Sequence, residues 1–307
     1  MRKPRMRCSS RVLAAMLVAF VLLLAACSSD SKSSSSSSGS KESLIVGSKD
    51  FAGAQILSQA YGQTLETKGY KITYKDNIGP TETVYPLLEK GDIDLYGEFQ
   101  GTFLTYLKGT PTGNSDQTFA AVDSALAGKG VVAVGPASAV DANAFYVLKA
   151  TATKYHLTKV SDLTAVAPQL SFGGPPECLD RPLCLGTTSQ QLYGLKFKEV
   201  KKLDPGGPLT NQALDDGTID VGLLFTGSSV IKPNYVLLKD DKGLQPADNP
   251  IALVKKDKAT KGVVTILKSV NSKLDTAAYN EIALKVFNDK IDPATAVADW
   301  LKKVGLT

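Results

Sequence analysis

Gly91-Asp92-Ile93-Asp94-Leu95 and Gly217-Thr218-Ile219-Asp220-Val221 repeat one pattern at two distant places in the chain. Each follows a run with apolar residues at helical spacing: Val84, Leu87 and Leu88 before the first, Leu209, Ala213 and Leu214 before the second. Each opens a short alternating strand, Ile93-Asp94-Leu95-Tyr96 or Ile219-Asp220-Val221-Gly222-Leu223. The glycine suits a left-handed helix end, where a side chain would clash. Two helix-to-strand returns of the same design predict two α/β lobes. A cleft between lobes is a common place for a small ligand.

Outward from the first junction, Leu44 to Gly47 reads as a buried strand, Ala52 to Thr67 as a helix on Ile56, Leu57, Ala60, Tyr61 and Leu65, and Lys71 to Ile78 as an alternating strand. Thr81 to Lys90 is the helix that Gly91 ends, and Gln117 to Ala127 is a helix followed by the strand Val131 to Val134. This alternation of strand and helix predicts a mostly parallel sheet. Around the second junction, strands are expected over Phe145–Leu148, Leu170–Phe172, Phe197–Val200, Ile219–Phe225 and Tyr235–Leu238, with short helices at Ser161–Leu163 and Gln190–Tyr193. Pro250 to Val254 is a strand expected to return to the first lobe. Helices over Lys258–Leu267, Thr276–Asn288 and Pro293–Val304 close the chain. Pro293 near the start of the last and Gly305 after its end are the usual punctuation.

The N-terminus has a different character. Arg2, Lys3, Arg5, Arg7 and Arg11 precede an apolar run from Val12 to Ala26, too short to span a bilayer and suited to a signal sequence. Leu24-Ala25-Ala26-Cys27 resembles a bacterial lipobox, which implies cleavage before Cys27 and a lipid on its sulfur; ordinary secretion is the alternative. Ser28 to Ser43 is nearly all serine and has no apolar side chain to bury. It is expected to be a disordered tether reaching roughly 20–24 Å. The expected organisation is therefore a signal peptide over 1–26, a lipidated cysteine and tether over 27–43, one lobe from 44–140 with 250–307, and a second from 141–249.

Charge narrows the partners. The chain is +5, from 35 basic and 30 acidic residues, but the first 26 residues hold five of the basic ones and no acid. Removing those five from 35 leaves 30 against 30, so the body has no electrostatic footprint for nucleic acid. Cys178 and Cys184, with five residues between them, are expected to form a local disulfide in an oxidising compartment. The single histidine, His156, lies in another segment, so no metal site is expected. It reads as the cap of a surface helix.

Several motifs carry a family resemblance. Val46-Gly47-Ser48-Lys49-Asp50-Phe51 and Asp94-Leu95-Tyr96-Gly97-Glu98-Phe99-Gln100-Gly101-Thr102 resemble the substrate-binding lipoproteins of osmoprotectant ABC importers, as do Phe172-Gly173-Gly174-Pro175-Pro176-Glu177, Tyr193 to Val200 and Trp300-Leu301-Lys302-Lys303. The likeness runs from about Leu44 to the C-terminus. It implies an α/β fold of the type II periplasmic-binding-protein kind: two lobes, each a mixed, mostly parallel sheet flanked by helices, joined by two hinge crossovers. It implies binding rather than catalysis, no cofactor, a monomer held outside the cytoplasm by its lipid, and a permease with its ATPase as partners. The implied ligand is glycine betaine, choline, carnitine or a similar quaternary amine.

Family members surround the quaternary ammonium with aromatic rings, whose faces attract a cation that cannot donate hydrogen bonds. By this resemblance the ligand-binding residues are Lys49, Phe99, Thr102, Asn143, Phe145, Arg181, Asn211 and Phe225. Lys49, Thr102 and Arg181 are expected to meet a ligand carboxylate. The chain departs from the family in having Phe99, Phe145 and Phe225 as cage walls and Asn211 where a tyrosine is common, so a bulkier or aromatic solute is the alternative ligand. Tyr85 and Tyr96 are either pocket or packing residues. An extracytoplasmic hydrolase using acids such as Glu82 and Asp94 is the remote alternative, since there is no Gly-x-Ser-x-Gly elbow and no metal-ligand spacing.

Overall fold

The computed structural model of the chain describes residues 42–227, 231–246 and 248–307. The signal segment, Cys27 and most of the serine-rich stretch lie outside the described residues. The folded body begins slightly before the expected lobe boundary: Glu42 is ion-paired with Lys258, and Ser43 is the first residue of a strand.

Two five-stranded sheets carry the fold. The first holds β1 (Ser43–Gly47), β2 (Lys71–Lys75), β3 (Leu95–Phe99), β4 (Val131–Val134) and the late strand β10 (Pro250–Lys255), in the order β2-β1-β3-β10-β4. The second holds β5 (Asn143–Leu148), β6 (Ser171–Gly174), β7 (Glu199–Lys202), β8 (Val221–Phe225) and β9 (Tyr235–Leu237), in the order β7-β6-β8-β5-β9. In each sheet one strand, β10 or β5, runs against the other four.

The two orders are one topology used twice, and the repeat is legible residue by residue. Gly47, Gly91, Ile93, Asp94 and Phe99 correspond to Gly173, Gly217, Ile219, Asp220 and Phe225 at a constant offset of 126 positions, the difference between 47 and 173 and between 99 and 225. Gly91 and Gly217 both adopt positive φ, 88° and 73°. The aspartates are more than turn residues. Asp94 N–H donates to Ile45 O at 2.7 Å, and its Oδ2 accepts from Ile45 N at 2.8 Å. Asp220 makes the same reciprocal pair with Ser171, at 3.0 and 2.8 Å. Each aspartate thereby locks the start of the third strand to the first. Gly47 and Gly173 sit where a Cβ would lie 2.8 or 2.5 Å from the Cδ1 of Ile93 or Ile219, so the isoleucine of the junction packs directly on the glycine of the neighbouring strand.

Helices cover the sheets. In the first half these are α1 (Ala52–Thr67), α2 (Thr81–Lys90), α3 (Gln100–Tyr106) and α4 (Ser115–Ala125). Around the second sheet lie α5 (Lys149–Tyr155), α6 (Leu163–Val166), α7 (Thr187–Leu192) and α8 (Pro208–Asp215). The C-terminal α9 (Lys261–Asn271), α10 (Thr276–Phe287) and α11 (Pro293–Lys303) return to pack on α1. The predicted stripe Ile56, Leu57, Ala60, Tyr61 and Leu65 is fully buried there with Trp300 and Leu301. His156 ends α5 in the left-handed conformation, φ 55°.

Several boundaries differ from expectation because of caps. Thr260 Oγ1 accepts from Val263 N, so α9 starts three residues later than predicted. Asn114 accepts from Gln117 N and starts α4 earlier. Helix α3 was not expected, and of α5 only the cap at His156 was. Phe99 passes straight from β3 into α3, whose first N–H groups are met by Asp248, 147 residues away in sequence: Gly101 N donates to its Oδ1 at 2.6 Å.

Two crossovers join the halves, one leading into β5 and one into β10. They run side by side: Asp141 N–H donates to Asp248 O at 3.0 Å and Ala137 N–H to Pro250 O at 2.9 Å. Asn249 Nδ2 donates to Ala137 O and Ala139 O, at 3.1 and 2.8 Å. Among the described residues, no helix is long and apolar enough to cross a membrane.

Candidate functional site

The carboxyl ends of β1, β3 and β8 point at a cleft, the usual ligand position in α/β sheets. The loop after β1 delivers Lys49 and Phe51, the last residue of β3 delivers Phe99, and the last residue of β8 delivers Phe225. Phe51 lies between the two halves of the repeat. Its ring centroid is 5.9 Å from that of Phe99 and 5.2 Å from that of Phe225, tilted by 32° and 39°. One ring from each sheet thus meets a third. Lys49 Nζ stands over two of them, 5.4 Å from the Phe51 centroid and 5.0 Å from that of Phe99.

Behind the rings is a buried polar cluster. Lys49 Nζ is ion-paired with Glu98, whose side chain has no exposed surface. Glu98 also accepts from Thr81 Oγ1 at 2.8 Å, from Tyr96 OH at 3.2 Å and from Phe99 N at 2.8 Å. Four donors satisfy this carboxylate, as burial of a charge requires. Burial, and then Glu98 beside it, hold the Tyr96 hydroxyl well above the usual tyrosine range. Tyr96 is therefore a packing residue that orients Glu98. Tyr85 lines the outer cleft.

Asp248, on the crossover before β10, forms the floor. Its Oδ2 accepts from Thr102 Oγ1 at 2.6 Å, and its carboxylate accepts from the backbone N–H groups of Gly101 and Thr102. Burial pushes the Asp248 carboxyl up to about 6, against those hydrogen bonds and the charge of Lys49, which pull it down. Asp141, on the other crossover, also lines the cleft. It accepts from Gly227 N at 2.7 Å and Tyr279 OH at 3.1 Å.

Arg181 closes the outer side. It lies within the loop that the Cys178–Cys184 disulfide pinches, with Cα atoms 5.1 Å apart. Arg181 O accepts from Cys184 N and Gly186 N, at 3.0 and 2.9 Å. Its guanidinium crosses the cleft to α2: Nε donates to Glu82 Oε1 at 3.2 Å and Nη2 to Oε2 at 2.7 Å. Glu177 stands 3.8 Å from Nη1. Burial raises the Glu82 carboxyl, but the Arg181 guanidinium outweighs it and holds the group below the usual carboxylate range. From here a cavity of about 1280 Å³ continues outward between Tyr85, Tyr106 and Pro182.

Six of the eight residues expected to bind ligand, Lys49, Phe99, Thr102, Asn143, Arg181 and Phe225, line this cleft. Two do not. Phe145 sits two residues further along β5 than Asn143, about 7 Å from the strand end. Its ring falls in the core against Phe172, with centroids 5.7 Å apart at 86°, and it is 3% exposed. Asn211 lies inside α8, where Nδ2 donates to Gly207 O at 3.0 Å and its own carbonyl accepts from Tyr235 OH at 3.0 Å. The loop before that helix reaches the cleft at Pro205 instead. Lys49 and Arg181 are both engaged by carboxylates of the protein, Glu98 and Glu82.

Residues missed from sequence are Phe51, Glu98, Asp141, Glu177 and Asp248. Phe51 had a usable signal, since it follows the first strand at the start of a helix. Asp141 and Asp248 had none, because pairing of the crossovers places them. The acids Glu82 and Asp94 make separate contacts, one with Arg181 and the other with Ile45. Among the described residues, no group of three or more His, Cys, Asp or Glu could hold a metal ion.

A sequence profile for the substrate-binding domain of the ABC-type glycine betaine transport system matches residues 42–303. The carnitine transport binding protein OpuCC of Listeria monocytogenes serotype 1/2a is 24% identical over 271 residues, covering 86% of this chain and 87% of that protein. The ergothioneine transport permease/ergothioneine binding protein EgtU of Helicobacter pylori is 25% identical over 272 residues, covering 87% of this chain; the chain spans only 48% of that protein's length. A crystal structure of a glycine betaine/carnitine/choline ABC transporter shares the fold with a TM-score of 0.66 at 23% identity, covering 86% of this chain and 98% of that one. With a profile match across nearly all of the described body, the chain belongs to the family of substrate-binding domains of ABC-type glycine betaine transport systems.

Proposed function

We propose that this protein is the lipid-anchored receptor of an ABC importer and captures a quaternary amine between its two lobes, taken as 44–140 with 250–307 and 141–249. The observation that carries the ligand class is the ring box. Phe99 and Phe225, from equivalent ends of two sheets, both meet Phe51. A trimethylammonium group cannot donate hydrogen bonds, and three ring faces are a suitable environment for its diffuse charge. Because the rings come from both lobes, only a closed cleft supplies all contacts, so the ligand selects the closed form. Lys49, Thr102, Asn143 and Arg181 supply the polar surroundings. The monomer, held by a lipid at Cys27, presents this closed form to the permease.

A thermal-shift series with glycine betaine, choline, carnitine and proline betaine tests the assignment. At least one is expected to raise the melting temperature in a concentration-dependent way. A flat response to all four removes the quaternary-amine reading. The cavity of about 1280 Å³ beyond Arg181 favours a second reading, a bulkier or aromatic solute; ergothioneine belongs in the same series for that reason.

A further inference from the structure

The charge pattern of the cleft narrows the ligand class, on the footing of the quaternary-amine reading above. Both side-chain cations lining its inner part, around the rings, are already held: Lys49 by Glu98, and Arg181 by Glu82 through two hydrogen bonds with Glu177 nearby. Neighbouring donors are committed too. The Thr102 hydroxyl and the N–H groups of Gly101 and Thr102 all donate to Asp248, and Asn143 Nδ2 donates to Leu183 O at 3.3 Å. Among the described residues lining this inner part, two cations stand against the carboxylates of Asp50, Asp141, Glu177 and Asp248.

A ligand carboxylate only accepts hydrogen bonds, whereas a hydroxyl also donates. Brought in beside Asp248 and Glu177, a carboxylate would meet like charges in partly desolvated surroundings. A hydroxyl would meet acceptors, and the ammonium would gain attraction from the excess negative charge. We propose that this receptor selects a quaternary ammonium cation whose other end is a hydroxyl or another uncharged donor, and discriminates against betaines that end in a carboxylate.

Choline and glycine betaine share the trimethylammonium head and differ at the other end, so they isolate this choice. Isothermal titration of the purified protein with each, at neutral pH and physiological ionic strength, is expected to show choline bound at least about tenfold more tightly. Equal or tighter binding of glycine betaine would overturn the inference and leave the quaternary-amine reading standing. No binding of either, with the fold intact by circular dichroism, would remove both. Glu82→Gln relieves Arg181 of its bidentate partner on the half-exposed face of α2. It is expected to shift the choline-to-betaine affinity ratio toward betaine, roughly threefold to tenfold. A ratio that stays put would overturn the statement that Arg181 is neutralised by its own protein.

Discussion

At the level of single residues, the ring box depends on Phe51 as much as on the residues whose sequence neighbourhood drew attention. The Phe51 ring contacts both Phe99 and Phe225. Phe51→Ala is expected to weaken ligand binding by about 1 kcal/mol, roughly fivefold, and Phe225→Ala by a similar amount. Phe145→Ala should instead lower stability by about 3 kcal/mol or more while affinity of the folded fraction stays near wild type, because that ring is core. Titration calorimetry beside chemical denaturation separates the two outcomes. Asp248 makes a pH prediction. Its folded pKa of about 6 lies above the roughly 3.9 of an unfolded aspartate, so the folded state holds the proton longer. Its contribution to stability is therefore greatest below about pH 4 and is lost as pH rises to about 6, by at most about 3 kcal/mol. Asp248→Asn should remove that slope from urea midpoints taken at several pH values; parallel profiles would count against the assignment.

At the level of elements, the duplicated junction makes paired predictions. Asp94→Ala and Asp220→Ala each leave a backbone N–H, of Ile45 or Ser171, without its carboxylate acceptor and should cost about 1–3 kcal/mol. Gly217→Ala faces open space and should cost only the strain of a left-handed alanine, about 1 kcal/mol. Gly173→Ala drives its methyl into Ile219 and Leu203, 2.5 and 2.7 Å away, and should cost more, about 1–3 kcal/mol. Urea denaturation ranks the four. An effect at Gly217 larger than at Gly173 would contradict the packing described for the junction. Elements with local signals were legible: α1 from its periodicity, and the closing helix from Pro293 and Gly305. Helix α3 was not, since Asp248 caps it from the other end of the chain. Helix α5 was announced only at its end, by His156; it carries no side-chain cap at its start and buries only Ala152, so its extent was not legible.

For the whole molecule, Arg181 and Glu82 form the ion pair that bridges the mouth of the cleft. Their side chains are 26% and 45% exposed, so the pair contributes about 1 kcal/mol or less. That is enough to bias a ligand-free open–closed equilibrium by severalfold. Arg181→Ala is expected to raise the radius of gyration of the ligand-free protein in small-angle scattering at low salt, and high salt should bring the wild type toward the same value. A wild type whose radius is indifferent to both changes would mean that the crossovers alone set the lobe angle. Pairing of Asp141 with Asp248 and of Ala137 with Pro250 ties those crossovers together, so they would bend as one unit.

The two α/β halves, the direction of each chain return and the likeness to solute receptors were determined by sequence alone, because glycine at a left-handed helix end, periodic apolar faces and ordered motifs act over a few residues. Which side chains share the cleft was decided only by tertiary structure. Phe145 differs from Phe225 by its depth in a strand, and Asn211 is bonded to Gly207 within its helix. Lys49 and Arg181 look like open cations until Glu98 and Glu82 arrive from other elements. Burial and partner charge are set by residues distant in sequence, and those two quantities govern what this cleft can hold.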